Sequence, residues 1–343
     1  MKKLCSISLL VVLLLFSACK DSKSVKPILS GPYLGQELPG DEPVLFAPGI
    51  VSTGMYDRDI TITPDGKEIY FGIMVGTYVT ILYCKEAEGV WSNPEVAGFA
   101  RNPEYFYFEP HVTPDGQHLM FLSTMPPPGE EPIPGWGHQH IWIVDRSENG
   151  YWSEPYLAGA PITTSDNDYF PSVTLDGTLY FTKSLKSNPR LSQIYRSRSI
   201  NGKYQEPERL PDIINKSSGV YNSFIAPDET YLITCSANQD SVQTKGFADY
   251  YIFYRNKNDV WSEGINLGSL VNAPNDAALS PYVSPDGKYF FFSSSRLAGN
   301  MADSSLQISA KMIEELYYSP GNGNSDTYWM SSGFIKKLKP KDF

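Results

Sequence analysis

Apolar and polar positions follow a pattern along this chain that repeats five times. Each copy is a short polar turn that runs directly into aromatic and β-branched residues. The five copies are TPDGKEIYF at Thr63, TPDGQHLMF at Thr113, TLDGTLYF at Thr174, APDETYLI at Ala226 and SPDGKYFFF at Ser284. In such a turn proline presets φ, and glycine supplies the positive φ that the chain reversal needs. Each copy therefore predicts a β-hairpin.

An aromatic residue that opens a phrase such as WSNPEVAG or WSEPYLAG follows each of the first four turns. These aromatic residues are Trp91, Trp152, Tyr204 and Trp261. The distance to the next turn aspartate is 24 residues in three copies and 25 in the fourth, whereas the other half of the unit varies in length. A constant half and a variable half in tandem predict one supersecondary unit used five times.

Each unit contains two more strands besides the hairpin. In the second unit they are QHIWIVD and the aromatic phrase YWSEPYLAG. Four antiparallel strands per unit, with a turn signal every ~8–12 residues, are typical of a propeller blade. We predict an all-β protein whose residues 42–343 form a β-propeller of five four-stranded antiparallel blades. Six blades are the alternative, because about 60 residues per blade exceed the usual ~40–50.

The two ends of the repeat region predict how the ring closes. Residues 42–50 look like a fourth strand without its first three, and DTYWMSSGFIKKLKP near the end supplies a third strand. We expect the N-terminal strand to pair with the last blade and to latch the ring. This pairing would also cover an exposed sheet edge.

The first eighteen residues have the charged, apolar and small-residue regions of a secretory signal. Phe-Ser-Ala-Cys resembles the lipobox of bacterial lipoproteins, which implies that Cys19 is acylated; an ordinary signal peptide is the alternative. Residues 19–41 are polar and rich in Pro, Gly and Ser, which predicts a flexible tether. Lys20 and Asp21 resemble the residues that follow the acylated cysteine in surface lipoproteins of Bacteroidetes. We expect an outer-membrane lipoprotein, on its periplasmic or cell-surface face.

Charge and sequence motifs limit the kinds of partner and cofactor that we expect. The formal net charge is −10, and it becomes −12 without the signal peptide, which argues against a nucleic-acid partner. The chain has no P-loop, no dinucleotide fingerprint and no Gly-x-Ser-x-Gly elbow, so we expect no cofactor. Cys84 and Cys235 fall in different blades, and we predict that both are small buried hydrophobes.

The repeated [ST]PDG–aromatic phrase, with its WSEP-type fourth strands, resembles the PD40 or WD40-like repeats of TolB-like propeller proteins. The resemblance covers residues 42–343. It implies the fold and an envelope location but no reaction. We expect a non-catalytic module at the cell envelope that binds a ligand or a protein, with an envelope protein or a glycan as its partner.

The first strand of each blade runs nearest the axis, so its side chains are the candidates for a site. One aligned position in these strands reads Asp59, Glu109, Phe170, Asn222 and Ser280. The Pro-rich insertion 125–137 ends near Trp136, a possible stacking surface at the mouth of the ring. The predicted ligand-binding residues are Arg58, Asp59, Glu109, His111, Trp136, Asp168, Tyr169, Tyr221 and Asn222.

Two alternatives assign a chemical role to side chains in this region: catalysis by two acids, or metal binding by two histidines. Asp59 and Glu109 on adjacent blades could be the carboxylate pair of a glycoside hydrolase, or they could pair with Arg58 and cap neighbouring strands. His138 and His140 lie on one face of a strand and could begin a metal site, although the sequence offers no clear third ligand. A scaffold with a blocked axis and no pocket is a third possibility.

A helical periodicity interrupts the last unit. Its apolar positions are Leu306, Ile308, Met312, Ile313 and Leu316, and a Pro-Gly pair follows. We predict a short helix packed on blade 5.

Overall fold

A computed structural model describes residues 29–237, 248–297 and 308–343. The predicted signal peptide, Cys19 and Leu306 lie outside these ranges. The described chain begins with the helical turn α1 (Pro32–Gly35) and the strand β1 (Val44–Leu45).

Blades 1 to 3 follow one another along the chain. Blade 1 contains β2 (Tyr56–Ile62), β3 (Glu68–Val75), β4 (Tyr78–Ala87), β5 (Val90–Trp91) and β6 (Glu95–Val96), followed by the short 3₁₀ turn Gly98–Ala100. Blade 2 contains β7 (Tyr107–Val112), β8 (His118–Ser123), β9 (His140–Asp145) and β10 (Tyr156–Leu157). Blade 3 contains β11 (Asn167–Val173), β12 (Leu179–Leu185), β13 (Asn188–Ser197) and β16 (Glu208–Arg209), with the small hairpin β14 (Ser199–Ile200) and β15 (Lys203–Tyr204).

Blades 4 and 5 complete the chain. Blade 4 contains β17 (Gly219–Ile225), β18 (Tyr231–Ala237), β19 (Ala248–Tyr254) and β20 (Ile265–Asn266). Blade 5 contains β21 (Leu279–Val283), β22 (Tyr289–Ser294) and β23 (Asp326–Ser331), and its fourth strand is β1. The helices α2 (Ala310–Tyr317) and α3 (Gly333–Leu338) flank β23.

The first strands of the blades form a closed circle. β2 contacts β7, β7 contacts β11, β11 contacts β17, β17 contacts β21, and β21 returns to β2. The described residues therefore form a five-bladed propeller, and the sequence prediction of this fold is confirmed. The ring has two faces: the turn face, which carries the five hairpin turns, and the insertion face, where the first strands begin and second strands connect to third strands.

The repeated turn motif is explained by its hydrogen bonds. The Thr63 hydroxyl donates to the Asp65 carboxylate at 2.6 Å and accepts the Glu68 amide at 2.9 Å. Gly66 adopts φ 72°, which favours glycine. The first hydroxyl therefore joins the turn aspartate to the first residues of the next strand, and the same bonds recur at Thr113, Thr174 and Ser284.

The fourth turn departs from the motif and compensates for it. Ala226 has no hydroxyl, and here Thr230 donates its hydroxyl to the Asp228 carboxylate at 2.7 Å. Glu229 takes the position of the glycine at φ 57°. The Glu229 carboxylate lies 2.9 Å from Arg255 and accepts the Tyr180 hydroxyl at 2.8 Å. A side chain at this position therefore joins blade 4 to blade 3.

The N-terminal strand latches the ring as predicted. Val44 and Leu45 of β1 pair antiparallel with Trp329 and Tyr328 of β23. The next residue, Phe46, is fully buried and packs edge-on against Phe291 and Trp329, with ring centroids 5.1 and 5.0 Å away. The last blade thus gains its fourth strand from the start of the chain.

A second contact holds the N-terminal segment further upstream, inside the region predicted as a tether. The Trp91 amide donates to the Leu29 carbonyl at 2.9 Å, and the Trp91 indole donates to the Gly31 carbonyl at 2.7 Å. Tyr33 donates its hydroxyl to Asp286 at 3.0 Å. Residues 29–33 therefore lie at the rim of the turn face, between blades 5 and 1.

Apolar burial between blades supplies the core. Each pleated sheet packs its aromatic and aliphatic side chains against the next, and fully buried rings occur throughout. Burying one such side chain is worth about 1.5–3 kcal/mol relative to leaving it exposed. Cys84 on β4 and Cys235 on β18 are both buried, as predicted.

The helix predicted in the last unit forms, but its predicted packing is wrong. Ser309 caps α2 by accepting the Met312 amide at 3.2 Å. No residue of α2 is buried, and the Ile313 side chain is 57% exposed. None of the helices in the described ranges has the length and apolar character needed to cross a membrane.

Removing the Phe46 side chain should weaken the packing of the N-terminal strand on blade 5 and so destabilise the protein. We expect Phe46→Ala to lower the free energy of unfolding by about 3–5 kcal/mol, because the cavity would lie between two rings of blade 5. Val44→Ala on the same strand is the control and should cost under about 1 kcal/mol, since Val44 is exposed. Urea denaturation measures both, and equal losses would contradict the latch.

Candidate functional site

The aligned first-strand position is a conformational outlier in every blade. Its five residues all have left-handed φ angles: Asp59 (59°), Glu109 (57°), Phe170 (51°), Asn222 (46°) and Ser280 (60°). At each of them the pairing with the second strand slips by one residue, which defines a β-bulge. At Asp59, Glu109 and Ser280 the side chain of the bulge forms a hydrogen bond with the neighbouring blade.

The two acids of this column are held by neighbouring groups. Arg58 donates from Nε to Asp59 at 2.6 Å and from Nη2 to Glu109 at 3.1 Å. Glu109 also accepts the Phe170 amide of blade 3 at 2.8 Å, and Asp59 accepts the Glu109 amide of blade 2 at 3.3 Å. Ser280 of blade 5 donates its hydroxyl to Asp59. Both acids therefore cap strands of adjacent blades and share one guanidinium.

Burial changes the acidity of one member of this group. Asp59 is 3% exposed and Glu109 is 6% exposed. Desolvation raises the pKa of Glu109 to about 8, against the lowering effect of the Arg58 charge, and the nearby Asp59 adds to the rise. Two carboxylates compete here for one cation in a dry environment.

A second layer of inter-blade hydrogen bonds lies two residues further along each first strand. Thr61 Oγ1 accepts the Val112 amide at 3.1 Å, His111 Nε2 accepts the Val173 amide at 3.0 Å, and Ser172 Oγ accepts the Ile225 amide at 3.0 Å. The Tyr282 hydroxyl accepts the Ile62 amide at 3.0 Å and so joins blade 5 to blade 1. The fifth member, Phe224, offers no acceptor.

His111 is therefore a neutral acceptor. Because Nε2 accepts a backbone N–H, the ring proton is on Nδ1. Burial lowers the pKa of His111 to about 4. Protonation of Nε2 would make it a donor that faces another donor, the Val173 N–H.

The axis itself is almost closed. The cavity between the bulges has a volume of about 10 Å³ and is lined by Asp59, Glu109, Phe170, Ser280 and their neighbours. That is close to the space of one water molecule. On the turn face the axis widens into an apolar pocket of about 240 Å³, ringed by Pro64, Pro114, Leu175, Pro227 and Pro285. The axis is thus blocked, but one face is concave.

Trp136 lies on the insertion face above the start of blade 2. Its ring is stacked on Phe108 with a centroid distance of 5.7 Å and an interplanar angle of 9°, and it meets Phe106 edge-on at 5.0 Å. The Arg58 guanidinium lies 5.0 Å from the centroid of Phe108. Trp136 remains 47% exposed. The result is an aromatic platform, consisting of Trp136, Phe108 and Phe106, beside the guanidinium.

The remaining predicted ligand residues divide by exposure. Tyr169 and Tyr221 are half-buried, whereas Asp168 and Asn222 are buried. The Tyr221 hydroxyl donates to the Ala278 carbonyl at 3.2 Å. Of the predicted set, the structure leaves side-chain surface for a ligand on Arg58, Trp136 and the two tyrosines.

The two histidines predicted to share a strand have different partners, and only His140 lies on β9, because the strand begins there. His140 Nδ1 donates to Asp168 at 2.7 Å, and Asp168 also accepts the Ile141 amide at 2.9 Å. His138 Nε2 donates to the Glu131 carbonyl at 3.0 Å, and its Nδ1 lies 3.8 Å from Glu130. Within the described ranges no three His, Cys, Asp or Glu side chains are arranged to hold a metal ion.

Sequence reasoning missed two parts of this arrangement. It did not identify Thr61, Ser172 and Tyr282 as acceptors, although the aligned position is polar in four of five blades. It also did not identify Phe106 and Phe108 as the support of Trp136. The aromatic pair two residues apart beside a Pro-rich insertion is the signal that could have indicated them.

Comparison with known proteins gives fold-level likenesses only. No protein-family profile and no curated protein matches the chain. Similar solved structures include TolB from Acinetobacter baumannii, 15% identical over 81% of this chain and 57% of that chain, with a TM-score of 0.45. An endo-arabinase from Bacteroides thetaiotaomicron is 15% identical over 76% and 92%, with a TM-score of 0.46. An α-L-arabinofuranosidase from Lactobacillus brevis is 14% identical over 81% and 90%, with a TM-score of 0.48. The propeller assignment rests on the sheets and their closed ring.

His111 should make stability depend on pH. Its folded pKa of about 4 lies below the unfolded value near 6.5, so its contribution is complete above pH 6.5 and is lost as pH falls through 4. Between pH 7.5 and 5 this loss is about 2 kcal/mol. In His111→Gln the amide oxygen still accepts and does not titrate, so its stability should fall by that much less. Denaturation at both pH values measures this, and parallel losses would contradict the assignment.

Arg58 should be essential for stability. Arg58→Met leaves the buried acids Asp59 and Glu109 without the cation that they share, and we expect a loss of about 3–5 kcal/mol in the free energy of unfolding. Adding Glu109→Gln should recover little of it at pH 7, because the raised pKa already favours the neutral form of Glu109. Arg101→Met is the control, since Arg101 is exposed and forms no salt bridge with a described carboxylate. A loss for Arg58→Met no larger than the control's would rule out this role.

Proposed function

We propose that the protein is an envelope-anchored, non-catalytic binding module that takes a ring-shaped ligand, such as a saccharide, on its insertion face. The observation that carries this proposal is the exposed face of Trp136, held flat by Phe108. A rigid indole of this kind offers apolar stacking area at a low entropic cost. The Arg58 guanidinium, 5.0 Å from the centroid of Phe108, places a polar group beside this platform.

The surroundings of the acids support binding rather than hydrolysis. Glycoside hydrolases need two carboxyl groups that flank an open cleft, with space for a sugar and a water molecule. Here Asp59 and Glu109 each accept a backbone amide of the next blade, and the cavity between them is about 10 Å³. A ligand on Trp136 would not need to displace these contacts.

Hydrolysis is the second candidate, and one observation favours it. Glu109 is a buried acid with a raised pKa beside another carboxylate, which is the pattern of a general acid and its partner. For this role the Arg58 contacts would have to open when substrate binds.

Membrane attachment belongs to the same proposal. Its support is the order of a signal-like segment, a lipobox-like Cys19 and a short polar segment before the propeller. Intact-mass measurement of protein from bacterial membranes should give an acylated chain that begins at Cys19.

Trp136→Ala should lose saccharide binding without losing stability. We expect at least a tenfold rise in Kd for neutral oligosaccharides in calorimetric titration of a panel, because removing a central tryptophan usually costs more than about 1.4 kcal/mol. Tyr151→Ala is the control: Tyr151 is 76% exposed, belongs to the same blade and lies toward the turn face. Equal affinity in wild type and Trp136→Ala, or no binding by wild type, would contradict the proposal.

The same panel separates the two candidates. Incubation with wild-type protein should release no new reducing ends. Glu109→Gln should keep the binding of wild type. Hydrolysis by wild type that disappears in Glu109→Gln would instead assign the enzyme function.

A further inference from the structure

We propose that the tether fixes the orientation of the propeller: the turn face lies toward the anchoring membrane, and the insertion face with Trp136 points away from it. This inference rests on the acylation of Cys19 in the proposed function. It adds the direction from which a ligand arrives, which is the aqueous side rather than the bilayer.

The point where the N-terminal segment meets the propeller carries the argument. The Leu29 carbonyl is bonded to the Trp91 amide, and Ser30 forms a bridge with Val90. Tyr33 packs on Tyr289 with ring centroids 5.0 Å apart and donates to Asp286 in the turn of blade 5. The chain is therefore tied to the turn-face rim from Leu29 onward.

The length between Cys19 and Leu29 then limits how the ring can lie. The two residues are ten positions apart. Ten residues reach at most about 35 Å when fully extended. A compact chain of 343 residues is roughly 50 Å across. The tether is thus shorter than the body that it holds.

Turning the insertion face to the same membrane would use nearly all of this length. The tether would have to pass along the side of the ring from one face to the other. The eight-residue strand β3 alone spans about 26 Å of that path, before the loops at each end are counted. An almost fully stretched tether loses most of its conformational freedom, so the inverted orientation is disfavoured.

The turn face carries charged side chains at each of its five turns. An aspartate stands in each of the five turns: Asp65, Asp115, Asp176, Asp228 and Asp286. Basic side chains lie beside them, as Lys288 does at 3.1 Å from Asp286, so the turn face carries charges of both signs. The orientation therefore rests on the tether and not on the charge of this face.

Energy transfer from matched positions on one blade tests the inference. Lys67→Cys lies on the turn face of blade 1, and Thr77→Cys lies on the insertion face at the other end of β3; both positions are exposed. The native thiols of Cys84 and Cys235 are buried, so a maleimide donor should label the introduced cysteine. The full-length acylated protein is reconstituted on vesicles that carry an acceptor-labelled lipid.

We expect the transfer efficiency at Lys67→Cys to be at least twice that at Thr77→Cys. Inserting about 20 Gly/Ser residues after Val25 should reduce this difference, because the longer tether permits other orientations. Equal transfer from the two positions, stronger transfer from Thr77→Cys, a difference that survives the spacer, or protein that is not acylated would each overturn the inference. Saccharide titration of the same vesicles reports on Trp136 separately, so loss of binding alone leaves the orientation intact.

Discussion

The inner edge of each blade sets the constraint on which this propeller depends. The first strand of a blade has backbone N–H groups that face the neighbouring blade near the axis, where little water reaches. A buried N–H without an acceptor costs about 1–3 kcal/mol. In this protein the side chain of the preceding blade supplies the acceptor, through Thr61, His111, Ser172 and Tyr282 in one layer. The left-handed bulges, which include the acids Asp59 and Glu109, form a second layer of the same kind.

This constraint decides where function can lie. Asp59, Glu109 and His111 are polar and near the axis, which are the features that suggest a catalytic centre. Their hydrogen bonds instead join blade to blade, and the space between them is about one water molecule in size. A rigid ring of this kind can present an outer platform such as Trp136, because the axis does not have to open. Binding at Trp136 and stability at the axis then depend on different residues, apart from Arg58, which lies beside both.

The fold could be predicted from the sequence because each blade contains a hairpin turn with a recognisable sequence motif. Each turn motif is local, and its hydrogen bonds form within six residues, as at Thr63 and Asp65. The candidate site was predicted only in part. The axis column was identified, but strict alternation along a strand fails at a bulge, so the roles of Thr61 and Tyr282 were hidden. The α2 packing failed for another reason: helical periodicity shows which positions share a face, not what covers it.

The most direct test of this account is hydrogen exchange resolved at single amides. In wild type, the amides of Val112, Val173 and Ile225 should exchange as slowly as the sheet ladders around them. Removing one acceptor with Ser172→Ala should speed exchange at Ile225 while Val112 keeps its protection. If Ile225 stays equally protected in that variant, the side chains do not hold the blades together, and the account of the axis is contradicted.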